Sequence, residues 1–108
     1  MTVQLPDPLA EYFAAANTDD SDRVAACFTE DALVHDEGAD IRGREAIRAW
    51  AEDARRKYRF NAEVMAVEEA ADRVVVTAHL TGDFPGNPVD LRYRFTLAGR
   101  QIAAVEIG

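Results

Sequence analysis

Val89-Asp90-Leu91-Arg92-Tyr93-Arg94-Phe95-Thr96-Leu97 alternates apolar with polar side chains along its whole length, and this run decides how the chain is read. Successive side chains of a strand point to opposite faces, so Val89, Leu91, Tyr93, Phe95 and Leu97 share a buried face. Asp90, Arg92, Arg94 and Thr96 then face water or a partner. A sheet of this kind needs a cover on one side only.

The same period of two runs through Phe60 to Glu68, Arg73 to Thr81 and Gln101 to Ile107. Their links, Ala71-Asp72, Gly82 to Pro88 and Ala98-Gly99, are short and rich in turn residues, which predicts antiparallel hairpins. Upstream the period is helical. Pro6 and Pro8 precede Leu9, Tyr12, Phe13 and Ala16, spaced as one helix face, so a proline-started helix ends near Asn17. Thr18 to Ser21 can turn the chain and cap a second, short helix carrying Val24, Cys27 and Phe28. Ala32 to Glu37 reads as a short strand running out into a polar loop. After Gly43 a long helix buries Ile47, Trp50, Ala51 and Ala54. Its Glu45 near the start and Arg55, Arg56 and Lys57 near the end complement the helix dipole, so these charges are accounted for by helix stability. Helices segregated from consecutive strands make the class α+β, with a cavity expected between a curved sheet and the long helix.

Composition limits the function. With 108 residues and 48% hydrophobic content, the chain is expected to form a single domain over residues 1–108. A formal net charge of −8 argues against nucleic acid and against anionic membrane surfaces as partners. No run of 18 apolar residues occurs, and Met1 to Pro8 lacks the basic and apolar regions of a signal peptide, so the expected location is cytoplasmic. The single cysteine, Cys27, sits in an apolar helical pattern and reads as a small buried residue rather than a reactive thiol.

Phe28-Thr29-Glu30-Asp31-Ala32-Leu33-Val34-His35-Asp36, followed by Gly43-Arg44-Glu45-Ala46-Ile47-Arg48-Ala49-Trp50, resembles the nuclear-transport-factor-2-like superfamily, in particular its SnoaL-like and ketosteroid-isomerase-like branch. The resemblance extends from Leu9 to Glu106. It implies a cone-shaped α+β barrel, in which three N-terminal helices pack on a strongly curved antiparallel or mixed sheet. It also implies that Asp36 stands where those isomerases keep a general-base aspartate and Tyr12 where they keep an oxyanion-hole tyrosine. With Tyr93 and Phe95 aligned to the pocket aromatics, the position of the isomerases' protonated aspartate falls on Leu91. The neighbouring Asp90 points to the opposite face unless a bulge shifts the register. Phe28, Val34, Trp50, Tyr58, Met65, His79, Leu91, Tyr93 and Phe95 are the expected substrate-binding set. His79 is a candidate substitute donor, although it shares its strand face with Val75 and Thr77 rather than with Val74, Val76, Ala78 and Leu80.

Two functions from different classes follow. The first is a cofactor-independent isomerase, cyclase, hydratase or hydrolase, with Asp36 as base and Tyr12 as oxyanion donor, acting on a small, mostly apolar molecule. The second is a non-catalytic ligand-binding or dimerisation module with the same apolar pocket. Epoxide hydrolysis would want acids and an arginine together; Asp90 and Arg92 share a face, but the outer one. His35, Asp36, Glu37, Asp40 and His79 lack metal-ligand spacing, so no metal is expected. No glycine-rich phosphate loop or Gly-x-Ser-x-Gly elbow occurs, and no cofactor is expected. SnoaL-like relatives commonly pair through their sheets, which with the polar outer face implies a homodimer.

Overall fold

The computed structural model describes residues 5–108, so half of the Met1–Pro8 stretch read above lies outside the described residues. Nine elements follow in order: α1 (Asp7–Asn17), α2 (Ser21–Ala26), β1 (Phe28–Asp36), β2 (Ala39–Arg42), α3 (Arg44–Tyr58), β3 (Asn61–Ala70), β4 (Arg73–Thr81), β5 (Val89–Ala98) and β6 (Gln101–Ile107). The strands form one sheet in the order β2-β1-β6-β5-β4-β3. β1 runs parallel to β6 and every other pair is antiparallel, so the sheet is mixed and the class is α+β. Among the described residues no helix is long and apolar enough to cross a membrane.

Local chemistry starts and stops these elements. Pro6 and Pro8 flank the first residue of α1, where a missing N–H costs nothing. The Asp20 carboxylate accepts from the Arg23 backbone N–H at 3.2 Å and caps α2. Arg59 takes a left-handed conformation and ends α3. Gly82 is required for space: a Cβ there would stand 2.7 Å from the Tyr58 carbonyl oxygen and 2.8 Å from the Phe60 Cα.

Three expectations change. The strand expected at Ala32–Glu37 is longer, Phe28–Asp36. Between Phe28 and Leu33 its register on β6 is irregular, so the exposed acids Glu30 and Asp31 interrupt the alternation that would have revealed it. The polar loop after it contains a further strand, β2, reached by a two-residue turn in which Glu37 and Gly38 both have positive φ. Cys27 and Phe28 do not extend α2; Cys27 is its C-cap and Phe28 opens β1.

Inner and outer sheet faces follow strand parity in β4 and β5, and in β6 an extra residue, Ala103, brings Ile102 and Val105 to the same face. Val74, Val76, Ala78 and Leu80 of β4, Tyr93 and Phe95 of β5, and Ile102 and Val105 of β6 are buried against Leu9, Tyr12, Phe13, Val24 and Ile47 of the helices. α1 touches both β6 and the edge strand β3, while α3 touches β1 and β2 near the opposite edge, so the sheet curves around the helices.

One side chain closes this curve. Asn17, the last residue of α1, donates from Nδ2 to the Ala62 carbonyl at 2.8 Å and accepts at Oδ1 from the Ala62 N–H at 2.8 Å. Ala62 lies on the free edge of β3, whose backbone groups have no strand beyond them. Arg55 ties the same corner by donating to the Phe60 and Asn17 carbonyls. Replacing Asn17 with Ala orphans both backbone groups of Ala62, a buried residue, and should cost about 1–3 kcal/mol, read as a lower urea midpoint. Asn17→Asp should cost at least as much, because a carboxylate cannot donate to the Ala62 carbonyl. Unchanged midpoints in both variants would contradict this role.

Candidate functional site

Small residues leave room between the helices and the sheet. α1 brings Tyr12, Ala15 and Ala16 to the space, α3 brings Trp50, Ala51, Ala54, Arg55 and Tyr58, and the sheet brings Leu80, Val89, Leu91, Tyr93 and Ile107. Alanines on the facing helices leave a cavity of about 530 Å³, a volume typical of small-molecule sites. Exposed Asp19, Glu37, Pro85 and Val89 stand at its rim, while Tyr12 and Tyr93, each 4% exposed, lie deep in it.

Asp36 is the last residue of β1, and its partly buried carboxylate faces this cavity. Trp50 donates its indole N–H to Asp36 Oδ2 at 3.0 Å, which fixes the carboxylate and leaves Oδ1 for another contact. Burial pushes the Asp36 pKa above its ordinary value and the adjacent Glu37 charge adds to this, while the Trp50 hydrogen bond pulls the other way. Burial is also the main cause that raises the Tyr12 phenol well above its usual range, with Tyr93 and then Asp36 contributing. Tyr93 is raised by burial and by the Asp36 charge. Both phenols are therefore protonated donors at neutral pH, and both feel the Asp36 carboxylate. Their rings meet edge to face with centroids 6.3 Å apart. Neither hydroxyl has a hydrogen-bond partner among the described residues, and neither is sealed away from the cavity.

At the rim, the Tyr58 hydroxyl donates to Glu37 Oε1 at 2.8 Å, and its ring packs edge to face on Phe84 at 6.1 Å. The turn after β1, the end of α3 and the β4–β5 connection are thereby joined at the cavity mouth.

The structure brings Tyr12, Asp36, Trp50, Tyr58, Leu91 and Tyr93 to one cavity and leaves five other expected residues off its wall. Phe28 and Phe95 are fully buried behind Tyr12, with ring centroids 6.0 and 5.6 Å from it, and form the layer that supports it. Val34 is sealed in the core opposite Val105. Met65 is the extra residue of a bulge in β3 and points outward, 54% exposed. His79 has the outward parity of β4, and its Nδ1 pairs with Asp90 Oδ1 at 2.7 Å on the outer face. Asp90 therefore faces away from the cavity and Leu91 lines it, so no carboxyl stands where the resembling isomerases keep their protonated aspartate.

Leu80, Phe60, Arg55 and Ile107 line the cavity and escaped the sequence reading. Parity alone identifies Leu80, which pairs with Val89 on the inward face. Phe60 and Arg55 could not be found this way, because they depend on how the chain turns between α3 and β3. Burial pushes the Cys27 thiol up to about 11, so it stays protonated, and it lies outside the cavity lining. Among the described residues no three His, Cys, Asp or Glu side chains are grouped to hold a metal ion.

Residues 9–105 match the family described as the SnoaL-like domain. A crystal structure from Sinorhizobium meliloti, named as a candidate polyketide cyclase, superposes with a TM-score of 0.93 at 38% identity, over 96% of this chain and 95% of that one. A Catenulispora acidiphila protein with a ketosteroid-isomerase-like fold, in complex with trimethylamine, gives 0.87 at 20% identity, over 97% and 86%. A nuclear-transport-factor-2-like protein of unknown function from Cytophaga hutchinsonii gives 0.80 at 17% identity, over 100% and 93%. The last two share the fold. No curated protein sequence matches the chain.

Proposed function

The chain belongs to the SnoaL-like domain family, and from that premise we propose that it is a cofactor-independent acid–base enzyme acting on a small, mostly apolar carbonyl compound, in the manner of a polyketide cyclase or isomerase. The observation that carries this reading is the convergence on one cavity of a partly buried carboxylate, Asp36, and two unpartnered phenols, Tyr12 and Tyr93.

Asp36 is the base. Its free oxygen takes a proton from the carbon beside the substrate carbonyl, and the electron pair of that C–H bond moves onto the carbonyl oxygen as an enolate. Tyr12 donates to that oxygen where the charge develops, with Tyr93 as a second phenol on the same wall. In a substrate with a β,γ double bond the resulting dienolate takes the proton back from Asp36 at its γ-carbon and the double bond moves into conjugation, which is isomerisation; otherwise the enolate carbon attacks a second carbonyl to close a ring, and the new alkoxide takes the proton from Asp36. A raised carboxyl pKa makes Asp36 a stronger base than an ordinary aspartate. Trp50 holds the carboxylate in place and limits how far its pKa rises. Leu91 in place of a second carboxyl favours a reaction that needs no acid at that position. The alternative is a ligand-binding module in which the same cavity binds without turnover.

Asp36→Asn keeps the volume and the Trp50 acceptor while removing the charge. Turnover on enolisable ketones, polyketide mimics and epoxides should fall about a hundredfold or more, with binding retained. Because the folded-state pKa of Asp36 is raised, its contribution to stability is fully present at low pH and lost as pH rises through that pKa. The Asn variant should therefore melt at or above the wild-type temperature at pH 7, and the difference should shrink as the pH falls and wild-type Asp36 takes up its proton. Full activity in the Asn variant ends the proposal, and wild-type binding without turnover on any of these compounds favours the module.

We also infer a homodimer through the outer sheet face. The support is its mixed charge: His79 pairs with Asp90, Arg94 stands 3.7 Å from Glu106, and His35 bonds Asp40 at 2.6 Å, an arrangement that a two-fold copy can complement. Light scattering at high micromolar concentration should give a dimer mass, which Arg94→Glu lowers. A monomer mass for the wild type contradicts the pairing.

A further inference from the structure

The cavity has a charge as well as a shape. Four of its lining residues, Asp19, Asp20, Asp36 and Glu37, are acids, against one base, Arg55. Arg55 is already engaged: both of its terminal nitrogens donate to backbone carbonyls, of Phe60 and Asn17, and its guanidinium sits 5.5 Å over the Phe60 ring. Asp20 is engaged as well, by the Arg23 backbone N–H and guanidinium, and Lys57, outside the lining, holds its ammonium 5.4 Å from the Tyr58 ring. The carboxylates left to meet an occupant are Asp19 and Glu37 at the rim and Asp36 further in. A concave wall of low polarity concentrates such a field instead of letting water disperse it.

The rest of the lining is aromatic. Trp50, Tyr58, Phe60, Phe84, Tyr12 and Tyr93 face the same space. Ring faces attract cations, by about 0.5–2 kcal/mol each depending on how dry the contact is. Tyr58 joins the two features, because its hydroxyl holds the Glu37 carboxylate beside the Tyr58 and Phe84 rings. Independently of the acids, Tyr12 and Tyr93 are nearly fully buried as residues, while their hydroxyls reach the cavity and have no hydrogen-bond partner among the described residues. They call for a hydrogen-bond acceptor on the occupant at the deep end.

We infer that the cavity selects a molecule with a positively charged amine at the Glu37–Tyr58 mouth, an apolar body along Trp50 and Phe84, and an acceptor oxygen at the Tyr12–Tyr93 end. An aminoketone, or an ester or amide of an amino alcohol, has this pattern. Carboxylate-bearing molecules of the same size are repelled. The inference rests on the reading of the cavity as a small-molecule site and adds the sign of the charge; it holds whether or not Asp36 performs catalysis.

The test uses three benzyl ligands of nearly equal shape: benzyltrimethylammonium, its neutral isostere neopentylbenzene, and the benzylsulfonate anion. Calorimetry gives each Kd, and the emission of the single tryptophan, Trp50, reports occupancy of the cavity. The cation should bind about tenfold or more tightly than the neutral isostere, and the sulfonate should not bind in the range of either. Glu37→Gln should remove most of the cation's advantage while leaving the neutral ligand's Kd unchanged, which also shows that the variant is folded. Raising the salt should weaken the cation alone. Equal or tighter binding of the neutral ligand, binding of the sulfonate, a cation preference untouched by Glu37→Gln, or no binding of any of the three overturns the inference. Failure here is separable from failure of the catalytic reading: a cation preference together with an active Asp36→Asn variant removes catalysis and keeps the selectivity, and the reverse pair of results does the opposite.

Discussion

Two hydrogen bonds from one amide hold the architecture around its cavity. Asn17 at the end of α1 satisfies both backbone groups of Ala62 on the free edge of β3, so the helical corner is fixed to the last strand of the sheet. The sheet must curve to bring that edge to the helix, and the space inside the curve is what Tyr12, Trp50 and Tyr93 line. Arg55 reinforces the corner, and the one lining base thereby directs both terminal nitrogens to backbone carbonyls. Fold and electrostatics are thus coupled through a few residues: the contacts that shape the cavity leave its rim acidic.

Within this frame the Asp36 carboxylate, the proposed base, is placed by the strand that ends in it. β1 runs beneath the helices until Val34, which is sealed in the core, and emerges at Asp36, where the backbone turns through Glu37 and Gly38. A carboxylate at that point is neither fully solvated nor fully buried. Burial raises its pKa while Trp50 keeps it oriented, a compromise suited to a base that must be charged when it meets its substrate. Leu91 marks the departure from the isomerases that the sequence resembles, and two protonated phenols remain as the donors.

Much of this was legible from the residues. The alternation in Val89–Leu97 gave β5 and its inward face, and the spacing of Ile47, Trp50, Ala51 and Ala54 gave the inner side of α3. Parity also placed His79 with Val75 and Thr77, and the structure puts it outside for that reason. Irregularities were hidden. The shifted register of β1 disguised its first half, and the bulge at Met65 turned a large apolar residue outward. Asn17 read only as a helix end, since a side chain that closes an edge 45 residues away leaves no local pattern. Phe95 was placed on the correct face but one layer too shallow, because periodicity tells which side a residue faces and not how many others lie between it and the cavity; Phe28, read as part of the second helix, opens β1 in the same layer behind Tyr12.

The account turns on Asp36 being a partly desolvated carboxylate facing an open cavity and steadied by Trp50. A ¹³C NMR titration of the aspartate side-chain carboxyls, with Asp36 assigned by its loss in the Asn variant, reads this directly. The account predicts an Asp36 pKa above the ordinary aspartate value, and a further rise in Trp50→Phe, because the indole hydrogen bond that favours the charged form is gone. An Asp36 that titrates at or below the ordinary value, and does not respond to loss of the indole, would be a solvated turn residue and would contradict it.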